Sequence, residues 1–229
     1  MKRKVGVVLS GCGFLDGSEI HEAVLTMLHL DAADVEVVCL APRGAQRDVV
    51  DHEHKQPAAG EQRDVLREAA RIARGRIREL DPVVATELDA VVFPGGYGAA
   101  KNLCDFAARG AAAVARPEVA DLLRRMHAAK KPIGAVCIAP ALIACVLGKS
   151  ARPVLTIGDD AGTAKLLAAM GATHQSAAVT ECVVDRANRI VSTPAYMYDA
   201  RLRDVSAGIQ KLVAALVGMM AEREAGARA

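Results

Sequence analysis

The chain has no tryptophan, and only three tyrosines and three phenylalanines among 229 residues. Proteins that grip single-stranded nucleic acid stack bases on aromatic platforms, so this scarcity argues against that class. An excess of one charge is also missing. Twenty-nine basic residues face 27 acidic ones, a net charge of +2, and the basic residues form no block. No nucleic acid and no membrane surface is therefore expected as a partner. Six cysteines, at 12, 39, 104, 137, 145 and 182, make no C-x-x-C and no zinc spacing with histidine, so no metal site is expected. No apolar run approaches membrane-spanning length. The run after the opening MKRK is short and broken by glycine, unlike a signal segment. These absences together describe a soluble cytoplasmic protein with reduced thiols.

What is present is an alternation of strands and helices. Val5–Leu9 is a continuous apolar run, as a strand buried on both faces requires; Val35–Leu40 and Leu88–Phe93 read as further strands, and another opens the stretch 131–147. Val154–Ile157 adds a further short strand. Cys182–Asp185 and Arg189–Thr193 flank Arg186-Ala187-Asn188 as a hairpin. Between them the spacing predicts helices from Ser18 to about Leu30, with Ile20, Val24, Met27 and Leu28 on the apolar face, and over 61–74, 117–129, 163–170 and 198–222. The polar segment from about 45 to 80 reads as an excursion from the sheet. The last residues, about 223–229, read as a flexible tail. Strands alternating with helices predict an α/β fold with a mostly parallel sheet, in one domain over 1–229.

The chain is organised around residues 131–147, KPIGAVCIAPALIACVL. This stretch predicts a strand, a sharp turn at Cys137, and a helix opening at Ala139-Pro140. Ala135 and Ala139 are small, as a strand-to-helix elbow demands where two backbones approach closely. A thiol there sits at a helix N-terminus, whose dipole and free N–H groups favour the thiolate and depress its pKa. The alternative is a plain buried cysteine, since the run is apolar on both sides. Pro94-Gly95-Gly96 ends the strand expected to lie nearby. A glycine N–H from that loop, with the N–H of Ile138, would form an oxyanion hole over a carbonyl attacked by Cys137. Glu19 and Glu22, three apart in the first helix, reach the same crevice; each carboxyl either moves a proton there or merely complements the helix dipole. Cys12, in the Gly11–Gly17 loop, is a second candidate thiol. That loop lacks the third glycine of a dinucleotide fingerprint, and the next strand lacks the acid that holds a ribose. No histidine adjoins Cys137, as a cysteine hydrolase would require.

The segments SGCGFLDGSEIHEAVL, FPGGYGAAKNL, GAVCIAPA, LTIG and STPAYM, in this order, resemble the enhancing-lycopene-biosynthesis family. That is the isoprenoid-biosynthesis glyoxalase group, within the superfamily of class I glutamine amidotransferases and PfpI-type proteases. The resemblance implies a flavodoxin-like three-layer sandwich with a cysteine nucleophile elbow. It implies Cys137 paired with Glu22, and oxyanion donors at Gly96 and Ile138 beside Gly95; Glu19 and Cys12 stay auxiliary candidates from the residues alone, against a helix-dipole role for Glu19 and an incidental Cys12. It further implies a glutathione-independent, cofactor-independent lyase turning methylglyoxal or glyoxal into lactate or glycolate through a cysteine hemithioacetal. Slow turnover is expected, because no histidine activates the water. A homodimer is expected by the same resemblance. Three other readings keep the same crevice: a redox sensor using Cys137, a dinucleotide enzyme, and an amidotransferase subunit borrowing His52 or His54.

Overall fold

The computed structural model describes residues 2–228, with side chains through 222. In chain order the strands are β1 (Lys4–Val8), β2 (Glu36–Ala41), β3 (Val50–Asp51), β4 (Gln56–Pro57), β5 (Ile77–Glu79), β6 (Ala90–Phe93), β7 (Ile133–Val136), β8 (Val154–Leu155), β9 (Thr173–His174), β10 (Val183–Asp185) and β11 (Ile190–Thr193). The helices are α1 (Ile20–Ala32), α2 (Val65–Ile72), α3 (Tyr97–Lys101), α4 (Phe106–Arg109), α5 (Pro117–Ala128), α6 (Ala139–Ala151), α7 (Ala161–Ala169) and α8 (Leu202–Arg228).

Seven strands form one sheet in the order β10-β11-β7-β6-β1-β2-β5, parallel throughout except for the β10–β11 hairpin. Alternation along β1 sets the layers. Val5 and Val7 point to one face, into a core with α1, α2 and α8; Val8 points to the other, into a core with α5 and α6. The result is the expected flavodoxin-like three-layer α/β sandwich. The chain runs from β1 outward to β2 and β5, then returns to β6 on β1's other side. Chain direction across the sheet reverses at β1/β6, so the loops leaving β1 and β6 diverge and open a crevice at the strands' C-terminal ends.

Four features depart from the sequence reading. The 45–80 segment does not stay outside the sheet: β5 pairs with β2 as the edge strand. It was missed because Ile77-Arg78-Glu79 carries one apolar residue, as an exposed edge allows. Leu155 lies not in the main sheet but in a small parallel pair, β8 with β9. In α1 three of the four residues expected on the apolar face point outward, and only Met27 packs on the core. Ile20, Val24 and Leu28 are exposed, while Glu22, Ala23, Thr26 and Leu30 are buried. The helix is turned so that a carboxylate faces inward. Finally, α8 over Leu202–Glu222 is long and apolar enough to cross a membrane by length and composition. Its Val205, Ile209, Leu212, Leu216 and Met219 are buried in the core with β1, which is how the centre helix of a globular domain passes that test. The tail expected over 223–229 continues α8 to Arg228; its side chains, and Ala229, lie outside the described residues.

Candidate active site

β7 is fully buried, and the chain leaves it through Cys137, whose φ is +59°. A side chain in that left-handed region costs on the order of 1–3 kcal/mol and persists only where its surroundings hold it. Here the Cys137 N–H donates to Thr193 O at 2.9 Å, tying the elbow to the end of β11. Pro140 occupies the first turn of α6, where no N–H is needed. Ala135 and Ala139 are both buried, as the close packing of the turn requires.

The loop after β6 closes on the elbow from above. A methyl group on Gly95 would lie 2.5 Å from Cys137 Cβ and 2.6 Å from Glu22 Oε2, so only glycine fits. Gly96 has φ +88°, and a methyl there would meet Glu19 N at 2.3 Å. These two glycines bring the backbone against the sulfur. The N–H groups of Gly96 and Ile138, the pair expected as oxyanion donors, sit close enough to the sulfur to draw its pKa down.

Glu22 comes from the first turn of α1 and is completely buried. Its Oε2 accepts from Gly95 N–H at 3.0 Å and its Oε1 from Tyr196 N–H at 3.3 Å. The carboxyl also interacts with the Cys137 thiol, each group shifting the other's titration. Burial, and then the Glu19 carboxylate, push Glu22 up to about 8. Burial, and then Glu22, push Cys137 well above its ordinary value, against the opposing pull of the two N–H groups. The depressed thiol pKa expected from the helix terminus is thus not found. Two N–H groups do not offset desolvation and a neighbouring carboxylate.

Glu19 is placed differently from Glu22. It is the N-cap of α1, accepting from Glu22 N–H at 2.6 Å, and burial raises its pKa. It nevertheless lines the same cavity. Cys12 is not brought to Cys137. It faces the charges of Glu68 and Arg71, away from the cavity, and burial raises its pKa. No histidine lines the cavity. His52 instead packs on the Gly11–Gly17 loop, its Nε2 accepting from Leu15 N–H at 3.3 Å, and His54 pairs with Asp51 in the exposed β3–β4 turn.

The cavity above the sulfur measures about 380 Å³. Phe14, Tyr97, Phe106, Ile138, Tyr196 and Met197 supply most of its wall, with Asp160 and Thr163 at the start of α7. Tyr196 was not foreseen. It follows Pro194 in a short 3₁₀ turn, where its N–H holds Glu22 and its hydroxyl lies 3.1 Å from His21 Nδ1. Tyr198 lies across Gly158, whose Cα hydrogen faces the ring, and donates from its hydroxyl to Ala177 O at 2.9 Å. Among the described residues no cluster of three or more His, Cys, Asp or Glu could hold a metal ion.

With this geometry in place, the likeness to known proteins is informative. No protein-family model matches the chain. The rat protein named ES1 protein homolog, mitochondrial, is 44% identical over 221 residues, 93% of this chain and 82% of the relative. The human glutamine amidotransferase-like class 1 domain-containing protein 3, mitochondrial, is 45% identical over 220 residues, 92% of this chain and 81% of the relative. Among solved structures, an isoprenoid biosynthesis protein with amidotransferase-like domain from Ehrlichia chaffeensis superposes with a TM-score of 0.90 at 41% identity, covering 95% of this chain and 99% of that one. DJ-1beta of Drosophila melanogaster shares the fold, with a TM-score of 0.57 at 19% identity over 99% and 97% of the two chains. The mitochondrial names overturn the cytoplasmic assignment. Free thiols argue against an oxidising compartment but do not discriminate among reducing ones. The superfamily expected from the motifs holds, and by these relatives the chain belongs to the ES1 family of glutamine amidotransferase-like class 1 domain proteins.

Proposed function

We propose that the protein is a glutathione-independent glyoxalase acting through Cys137 and Glu22. The observation that carries this reading is the buried thiol–carboxyl pair, Cys137 at the cavity wall with Glu22 behind it, and the N–H groups of Gly96 and Ile138 beside the sulfur. A carboxylate whose proton leaves only near pH 8 is a far better base than an exposed one.

In the first step Glu22 takes the thiol proton as the sulfur attacks the aldehyde carbon of methylglyoxal. A C–S bond forms, and the carbonyl π electrons move onto oxygen, which the Gly96 and Ile138 N–H groups stabilise. That oxygen takes up a proton, giving a hemithioacetal. Glu22 then removes the proton from the former aldehyde carbon, and the electron pair passes through an enediol. Reprotonation at the neighbouring carbon leaves that carbon reduced to an alcohol and the sulfur-bearing carbon oxidised to a thioester. Water adds to the thioester, the C–S bond breaks, and lactate leaves as the thiol regains its proton. The sum is methylglyoxal plus water to lactate, an internal redox exchange that needs no outside electron carrier. Glyoxal gives glycolate by the same steps. With no histidine in the cavity to activate the water, thioester hydrolysis limits the rate.

The sensor reading is less well supported, because redox-sensing cysteines are exposed and of low pKa, whereas Cys137 is buried and its pKa is raised. The test is lactate formation from methylglyoxal without glutathione. Wild type is expected to form lactate, and Cys137→Ala and Glu22→Gln to lose it. Equal lactate from wild type and Cys137→Ala would overturn the mechanism.

A further inference from the structure

The chain spends its aromatic residues in one place. Of its six phenylalanines and tyrosines, Phe14, Tyr97, Phe106 and Tyr196 line the single cavity over Cys137. Phe14 and Tyr97 do so while 41% and 50% exposed, so core packing does not account for them. Large apolar groups left half in solvent around a concave site mark a surface kept for a ligand. The cavity volume is also out of scale with methylglyoxal, which has five heavy atoms. About 380 Å³ lies within the range of sites that enclose a much larger ligand. Most of the cavity would stay wetted above a bound methyl group.

Resting on the glyoxalase reading, we infer that the substrate class is α-oxoaldehydes with a bulky apolar substituent, aryl or branched alkyl, and that methylglyoxal is a truncated member of it. The aldehyde carbon meets Cys137 at the floor, and the substituent stacks among Phe14, Tyr97, Phe106 and Tyr196. Phenylglyoxal is the direct probe. Its conversion follows the steps already written, adding water across the same two carbons to give mandelate, with the ketone carbon reduced and the aldehyde carbon oxidised. Substrate binding energy from the remote ring is available to position the reacting carbon, so it raises kcat/KM and not affinity alone.

The experiment compares kcat/KM for phenylglyoxal and methylglyoxal. Mandelate and lactate are separated by chromatography, so dicarbonyl adducts on arginine do not contribute. The expected ratio is at least about tenfold in favour of phenylglyoxal, given what even one methylene is worth in an apolar pocket. Ala107 lines the cavity from the surface of α4, so Ala107→Trp fills the volume without touching the core; it is expected to lower that ratio by about tenfold. A second readout does not depend on turnover: titration of Cys137→Ala with mandelate and with lactate by calorimetry, where mandelate is expected to bind at least about tenfold more tightly. Equal kcat/KM for the two aldehydes would overturn the inference and leave the glyoxalase reading standing. No product from either aldehyde would overturn the glyoxalase reading. In that case tighter binding of mandelate than lactate upholds an aryl-carbonyl site, and equal binding sinks it.

Discussion

Glutamine in place of Glu22 keeps the shape of the side chain and removes its proton equilibrium. In the folded protein burial, then Glu19, push the Glu22 carboxyl up to about 8, against an ordinary value of 4.5. Between these limits the folded protein keeps a proton that the unfolded chain releases. Stability from this group is therefore complete below about pH 4.5 and is lost as pH rises through about 8. Each pH unit inside the window corresponds to about 1.4 kcal/mol, so moving from pH 5.5 to 7.5 costs the wild type on the order of 2–3 kcal/mol through Glu22 alone. For a chain of this length that is a fall in Tm of roughly 5–10 °C. Glutamine has nothing to release, so Glu22→Gln escapes this penalty. The assay is thermal unfolding followed by circular dichroism at both pH values for both proteins. The Tm difference between them is expected to move toward the variant by that amount. A difference that stays constant over the window would show that Glu22 is ionised in the folded state, and would refute the argument for its role as a base of raised pKa.

Other outcomes follow from the same geometry. In Gly95→Ala the new methyl meets Cys137 Cβ at 2.5 Å and Glu22 Oε2 at 2.6 Å, so lactate formation is expected to fall at least about 100-fold, measured beside a melting curve that shows a folded protein. The rate of the wild type is expected to rise with pH through about 8, as Glu22 becomes the carboxylate; a flat profile would remove it as the base. Glu19→Ala loses the cap of α1, worth about 1 kcal/mol or some 2–4 °C in Tm, and moves the Glu22-dependent limb of the rate profile to lower pH. Alkylation of Cys137 by iodoacetamide is expected to need alkaline pH in the wild type and to shift acidward in Glu22→Gln, since the carboxylate is one of the groups raising the thiol.

The elbow was legible because its signal is local. An unbroken apolar strand, two alanines around Cys137 and a proline in the helix's first turn need no tertiary information. Gly95 and Gly96 were legible by the same logic, since paired glycines after a strand allow close approach. Glu22 was open to two readings, and its burial beneath Gly95 N–H is a tertiary fact that spacing does not carry. The orientation of α1 could not be read. Ile20, Val24 and Leu28 have the period of a core face, yet the helix turns them outward so that Glu22 and Ala23 face the sheet. Tyr196 was invisible for a different reason: its backbone N–H does the work, and a backbone donor leaves no mark in composition or spacing. The thiol's direction of titration was misread because helix position is visible in sequence and desolvation is not.

The placement of the tyrosines has an optical consequence. Tyr97 and Tyr196 line the cavity, and Tyr198 lies against Gly158 beside it, so every tyrosine of the chain belongs to one neighbourhood. With no tryptophan to mask them, tyrosines dominate the near-ultraviolet absorbance and emission of the unlabelled protein, and two of the three line the cavity. Occupancy of the cavity is thus written into the intrinsic spectrum, and a ligand titration needs no dye, tag or engineered probe.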